Sequence, residues 1–328
     1  MMTSRIVATE LIPCILVAFL AASIGSSDAV LPPPSQVHFA GPHGVTLTGI
    51  LYTPTGFHDC RRAAYHSAVI LMHGCTGIWS NRRVNATNAD GTPNLQNHIE
   101  KWALKLASES IVALVVESFT PRAPPSLSQG DPEWQNHCSG ARYAGTVDPY
   151  TTRVQDARAG WDYLVSLGSI DPKKIGLLGW SHGGEATMVE AAATPRHIDI
   201  ERPASDHRFA VLLSFYPGCG SHLGFVDEIW SCGSSFWRPY REFQLNVGEQ
   251  DAFHANCKKR TDIARRDFGS SIDFPAFPDA HHTFDAQQQA WPSDKCQFPT
   301  GDDCAMRAAD IDGLAFLKRH LSDDESFW

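Results

Sequence analysis

The sequence predicts an α/β domain in which a mostly parallel sheet is buried between helices on both faces. Three observations lead there. Short, nearly unbroken apolar runs recur along the chain, and segments with apolar residues three or four apart separate them. One run, Ile175-Gly176-Leu177-Leu178, also feeds the turn Gly179-Trp180-Ser181-His182-Gly183, after which helix-forming residues follow. Runs of this kind suit strands with no solvent-facing side, and the spaced segments suit amphipathic crossover helices.

Taken in order, the elements begin after a Pro-rich linker at Leu31 to Pro34. Val37 to Ala40 and Val45 to Tyr52 flank Gly41-Pro42-His43-Gly44 and predict an opening hairpin. Ala68 to Met72, Ile111 to Val116, Ile175 to Leu178, Phe209 to Phe215 and Phe243 to Val247 read as buried parallel strands. Leu95, Ile99, Trp102 and Leu106 share one helical stripe, and Val154, Ala157, Trp161, Leu164 and Val165 share another. Met306, Ala309, Gly313, Leu314 and Leu317 predict a last helix with Asp302 or Asp303 as its N-cap. Two segments break the alternation: Phe119 to Pro149, with five prolines and Trp134, and Gly218 to Pro239, with Trp230 and Trp237. Segments that long in a compact domain serve as lids or pocket walls, or as surface packing pinned by disulfides.

With 328 residues, 43% of them hydrophobic and 19% charged, the chain has enough apolar material for one large core, and residues 30–328 are expected to form a single domain. The net charge of −9, without a basic cluster interleaved with aromatics, argues against nucleic acid as a partner. Arg5, the apolar stretch Leu11 to Ile24 and the small residues ending at Ala29 have the order of a signal peptide over residues 1–29. The stretch is shorter than the roughly 20 residues of a membrane span and contains Pro13, so a secreted or periplasmic protein without a stable membrane anchor is expected. Removing the leader takes Cys14 and leaves eight of nine cysteines, an even number that favours disulfides in an exported protein. Short loops favour Cys219 with Cys232 and Cys296 with Cys304. No Cys-x-x-Cys pair or helical His pair accompanies them, which argues against zinc. Asn85-Ala86-Thr87 is a glycosylation sequon that matters in a eukaryotic source.

Gly-x-Ser-x-Gly between a strand and a helix is the turn that presents a nucleophilic serine, here Ser181. A serine hydroxyl needs a base, and the base needs a carboxylate to orient it. Where this turn carries the nucleophile, the partners follow in the order acid, then histidine. Gly248-Glu249-Gln250-Asp251 follows the apolar run Phe243 to Val247, which puts Asp251, with Glu249 as the alternative, at a strand's C-terminal edge, where such sheets hold ligands. Ala280-His281-His282-Thr283-Phe284 supplies the base, as either histidine. Adjacent histidines point apart on an extended chain and no acidic cluster joins them, so a metal is not expected. His73-Gly74-Cys75-Thr76-Gly77 follows the run Val69 to Met72, and its small residues let backbone N–H groups face a pocket. Together with the amide after the nucleophile, this makes the N–H groups of Cys75 and His182 the candidate oxyanion hole. The Cys75 side chain is then a small hydrophobe or a disulfide partner rather than a reactive thiol.

With these elements, the chain over residues 40 to 320 resembles the dienelactone hydrolase family of α/β-hydrolases. The resemblance rests on His73 to Gly77, on Ile170-Asp171-Pro172-Lys173-Lys174-Ile175 through Gly184, on Gly248 to Asp251 and on Ala280 to Phe284. It implies an α/β-hydrolase fold and puts His282, two before Phe284, in the place of the base. Dienelactone hydrolases proper carry a cysteine nucleophile where this chain has Ser181, so the resemblance points to their serine carboxylesterase relatives. Glu117 to Arg122 is similar to the stretch after the fourth strand in secreted relatives, which makes Arg122 a candidate for the pocket wall, as is Trp180 beside the nucleophile. A structural ion pair of Arg122 with Glu117 or Asp148 is the alternative. The expected activity is hydrolysis of small-molecule carboxylic esters by Ser181, His282 and Asp251, with no cofactor. Cleavage of a polyester or peptide on the same triad would favour an open cleft with exposed aromatics such as Trp134, Trp230 or Trp237. A non-catalytic binding module on this fold would lack a triad member, and none is missing.

Overall fold

A computed structural model describes residues 30–57, 65–127, 131–194, 196, 209–226, 236–286 and 301–322. The expected leader lies outside these residues, as do Cys60, Trp230, Cys232 and Cys296. The chain opens with the antiparallel hairpin β1 (Ser35–Ala40) and β2 (Thr46–Tyr52), turned through Pro42–Gly44. Next come β3 (His66–Met72), α1 (Asn97–Ser108), β4 (Val112–Glu117), α2 (Thr152–Ser166), β5 (Ile170–Trp180), α3 (His182–Ala191), β6 (Val211–Phe215), β7 (Phe243–Gly248), α4 (His254–Phe268), β8 (Ile272–Asp273), β9 (Ala276–Phe277) and α5 (Gly301–Leu321). The strands lie in the order β1-β2-β4-β3-β5-β6-β7-β8, with β9 also on β7. Only the pairs made by β2 are antiparallel; β3 through β9 pair in parallel.

The unbroken apolar runs have a direct counterpart in packing. Val112, Leu114 and Val116 of β4 face one layer with Ala157 and Leu164 of α2, Met188 of α3 and Ala264 of α4. Ala113 and Val115 face the other layer, with Ile99, Trp102 and Leu106 of α1 and Ala309, Phe316 and Leu317 of α5. A strand residue on either side is therefore fully buried, each valine or leucine worth about 1.5–3 kcal/mol relative to exposure. Among the described residues no helix is long and apolar enough to cross a membrane.

Two elements differ from the sequence reading. Helix α4 has no apolar stripe: its buried residues are Cys257, Arg260, Thr261 and Ala264, so hydrophobic periodicity does not reveal it. The last helix includes Asp302 and Asp303 in its first turn, and Asp302 accepts the His281 backbone N–H at 2.6 Å, which gives it a partner outside its own helix.

Candidate active site

At the C-terminal end of β5 the chain reverses sharply into α3, and Ser181 sits at the apex with φ 49° and ψ −113°. That backbone geometry is rare for an L-residue and costs on the order of 1–3 kcal/mol, which the surroundings must hold in place. Crowding explains the flanking glycines. A β-carbon on Gly179 would stand 2.2 Å from the Gly183 carbonyl oxygen, and one on Gly183 would stand 2.1 Å from the Met72 carbonyl oxygen. The Ser181 N–H donates to the Phe215 carbonyl of β6 at 2.9 Å, and its own carbonyl accepts from Glu185 at 2.8 Å.

Ser181 Oγ lies 3.1 Å from His282 Nε2, and His282 Nδ1 lies 2.7 Å from Asp251 Oδ2. Three side chains distant in sequence thus meet in one hydrogen-bonded row above the parallel strands. Asp251 follows β7, where its carboxylate is 1% exposed and also accepts the Phe253 N–H at 2.9 Å, while His282 is 35% exposed. The β7 loop is fastened to the histidine loop by backbone bonds from Glu249 N–H to the Phe277 carbonyl (3.1 Å) and from Gln250 N–H to the Ala280 carbonyl (2.9 Å). Glu249 itself is exposed, and His281 turns outward, 65% exposed, toward Asp302. Of the alternatives left open by the sequence, Asp251 and His282 are therefore the pair in line with Ser181.

On the other side of Ser181, the loop after β3 approaches closely: a β-carbon on Gly74 would stand 3.8 Å from the Ser181 Cβ. The backbone N–H groups of Cys75 and His182 have no protein acceptor among the described residues, as amides reserved for a substrate oxygen would. Cys75 forms a disulfide with Cys138, and its carbonyl accepts the His137 N–H at 2.7 Å, so the Phe119 to Pro149 segment is fastened to this loop. That segment packs Phe119, Trp134 and Val147 into a small cluster of its own, with the Trp134 indole donating to the Phe119 carbonyl at 2.8 Å. Behind the loop, His73, fully buried, and His182, half-buried, lie beside the Arg153 guanidinium. Burial first, and that cation second, hold both imidazoles well below the usual histidine range, so they are neutral.

The histidine loop has a second anchor that the sequence did not announce. Asp285 is fully enclosed, accepting from the Trp180 indole N–H at 2.7 Å and from the Tyr216 hydroxyl, while the Tyr216 ring lies 4.8 Å from the His282 ring. Burial pushes the Asp285 carboxyl up to about 7, aided by nearby Asp310 and opposed by its two donors and by Lys101. Trp180, expected to line the pocket, is fully buried and holds this loop. Arg122, expected there too, makes a bidentate pair with buried Asp156 (2.9 and 2.6 Å) and donates to the Ser118 carbonyl at 2.7 Å. Its partner is neither Glu117, which caps the Phe119 and Thr120 amides, nor Asp148, which caps the start of α2. The one signal for Arg153 and Asp156 was their position on the helical face shared with Val154 and Ala157, where ionisable groups are out of place.

The disulfides correct one expectation. Cys219 pairs with Cys257 of α4 instead of Cys232, because α4 packs its Cys257 under the loop after β6. Cys304 is also disulfide-bonded, and its expected partner, Cys296, lies outside the described residues. Among the described residues no group of three or more His, Cys, Asp or Glu is placed to hold a metal ion.

Residues 142–199, which span α2, β5, the Ser181 turn and α3, match the model of the prolyl oligopeptidase family. No curated protein matches the chain in sequence. Among solved structures it is similar to esterase 2 of Thermogutta terrifontis phosphorylated by paraoxon, at 15% identity and TM-score 0.57 over 91% of this chain and 99% of that one. The propionate-bound form of that esterase gives 14% identity and TM-score 0.57 over 90% and 97%. Dipeptidyl peptidase 4 of Porphyromonas gingivalis gives 15% identity and TM-score 0.51 over 78% of this chain but only 33% of that longer one. Strand order, the strand-turn-helix at Ser181 and these likenesses together show that the chain has the α/β-hydrolase fold.

Proposed function

We propose that the protein is a serine hydrolase of carboxylic esters, a serine-nucleophile relative of the dienelactone hydrolases that works outside the reducing cytoplasm. The observation that carries this reading is the row Ser181, His282, Asp251, at 3.1 and 2.7 Å, on a strained strand-to-helix turn. Ser181 attacks the acyl carbon while His282 Nε2 takes its proton, and Asp251 holds the imidazole in the tautomer that can accept it. The oxygen that becomes negative is met by the Cys75 and His182 amides. His282 then protonates the leaving alcohol, and water, activated by the same imidazole, releases the acyl group and restores Ser181. Every step uses these residues and water alone. Arg122 and Trp180 shape the site from inside the protein. The apolar leader and the two disulfides among the described residues support an oxidising location.

The prolyl oligopeptidase match over residues 142–199 favours a second reading, peptide hydrolysis on the same triad. A polymer cleft walled by aromatics has less support, since Trp134 and Trp237 are both buried. The test is labelling of the purified protein by a fluorophosphonate, with the adduct mapped to Ser181, followed by turnover of p-nitrophenyl butyrate and of dipeptidyl anilides. Labelling at Ser181 with preferential ester turnover is expected. Absence of any Ser181 adduct refutes the triad; turnover of anilides alone replaces ester with peptide. Asp251→Asn should lower kcat by about 10⁴-fold if its role is tautomer control, and a near-normal rate would exclude that role.

A further inference from the structure

Arg153 projects from the first turn of α2 into the protein and is fully buried, yet three of its five N–H donors are idle: Nε and Nη2 have no hydrogen-bond partner among the described residues. A buried guanidinium left partly unsatisfied is a costly way to stabilise a fold, because desolvation outweighs what two bonds return. Its Nη1 does something specific. It donates to the His73 carbonyl at 2.7 Å and to His182 Nδ1 at 2.9 Å. Arginine cannot accept, so His182 Nδ1 is the acceptor and the ring proton sits on Nε2.

These two contacts fall on the two chain segments that carry the oxyanion amides. His182 owns one amide itself. His73 governs the other: its Nδ1–H donates to the Gly74 carbonyl at 2.7 Å, and that carbonyl shares a peptide plane with the Cys75 N–H. In a trans peptide the C=O and N–H point in opposite directions, so fixing one aims the other. The His73 ring is in turn held by the Ser118 N–H at its Nε2 (3.4 Å) and by the edge of Phe119.

We propose that Arg153 is a positioning residue of the oxyanion hole, one nitrogen tying the loop behind the Cys75 amide to the imidazole of His182 so that both amides point at the same oxygen. The inference rests on the reading of Ser181 as nucleophile. Arg153 touches no substrate atom; it sets the angle between the two groups that do. Amides held this way need no reorganisation as charge develops, which is where such donors gain their effect.

The test uses the full chain with R153M, R153K, H182A and H182N. Kinetics on p-nitrophenyl butyrate are combined with inhibition by an alkyl boronate, whose tetrahedral anionic adduct on serine occupies the oxyanion hole. H182A keeps both amides but loses the tie. It is expected to lower kcat on the order of tenfold, a fraction of the 10²–10³ lost with a whole donor, to weaken the boronate by a similar factor and to leave KM within about twofold. H182N, whose Oδ1 can accept in place of Nδ1, is expected to recover most of the loss. R153M is expected to match H182A, and the double variant to add little beyond either; R153K, whose single ammonium sits on a flexible stem without the guanidinium's planar, pre-set direction, falls between them and wild type. Should R153M fail to fold, H182A and H182N decide the matter with Arg153 in place. Wild-type kcat and boronate affinity in H182A, or equal impairment of H182A and H182N, would overturn the proposal. Wild-type protein is first treated with fluorophosphonate. No adduct at Ser181 means that the hydrolase reading has failed, whereas an adduct formed at equal rates in wild type and H182A means that only the tie has failed.

Discussion

Asp285→Asn isolates one buried proton. In the folded protein the Asp285 carboxyl titrates at about 7, against an ordinary 3.8, with burial as the main cause. Between those values the folded state holds a proton that the unfolded state has released, so stability falls as pH rises through that window and levels off above it. Each pH unit is worth about 1.4 kcal/mol, and between pH 5 and pH 8 about two units of the window are crossed. The contribution of Asp285 to folding stability therefore drops by about 3 kcal/mol over that interval. An amide at 285 is uncharged like the protonated carboxyl and does not titrate: its oxygen accepts from the Trp180 indole, and the Tyr216 hydroxyl, which can donate or accept, turns to accept from its NH2. Other buried groups titrate nearby: Glu117 is also raised to about 7, while His98 and His137 are lowered to about 3 and 4. They are present in both proteins and cancel in the comparison. The assay is urea unfolding of both proteins at pH 5 and pH 8. The stability difference, variant minus wild type, should be about 3 kcal/mol more positive at pH 8 than at pH 5. Parallel curves, with the two differences equal within 1 kcal/mol, would show that Asp285 is ionised in the folded protein at both pH values and would refute the reasoning.

Replacing both Cys75 and Cys138 with Ala opens a link across 63 residues, for which chain entropy predicts a loss of about 4 kcal/mol; chemical unfolding reads the stability, and a kcat lowered together with it reports the loosened oxyanion loop. Ser181→Gly and Ser181→Ala both remove the proposed nucleophile, but only glycine accepts φ 49° and ψ −113° without strain. The glycine variant should be the more stable by about 1 kcal/mol, against the usual order of the two residues, and an alanine variant of equal or greater stability would show that the turn stores no strain.

How much of this was legible in the sequence depends on how local each signal is. The parallel strands announce themselves because residues such as Val112 to Val116 are buried on both sides, which leaves no polar interruption. The Ser181 turn is legible because its steric demands fall on residues two positions away, at Gly179 and Gly183. Asp251 and His282 could be placed by chain order and strand ends, although choosing His282 over His281 took the resemblance to a family. What could not be read was set by contacts across the fold. Helix α4 buries an arginine, a threonine, a cysteine and an alanine, so its inward face looks like an outward one. The Cys219–Cys257 link follows from where that helix docks, not from loop length. Asp285 looks like an ordinary surface charge in sequence, and Arg153 stands out only by its place on the apolar face of α2. Their partners lie on other elements: Trp180 and Tyr216 for Asp285, and His73 and His182 for Arg153.

The covalent bond between Cys75 and Cys138 makes the long segment after β4 part of the floor of the proposed active site rather than an accessory draped over it. Anyone grafting that segment from another hydrolase to change selectivity would be exchanging half of a staple. Transplants that bring their own cysteine in register should keep the proposed oxyanion amides aligned, and those that do not should lose turnover before they alter preference.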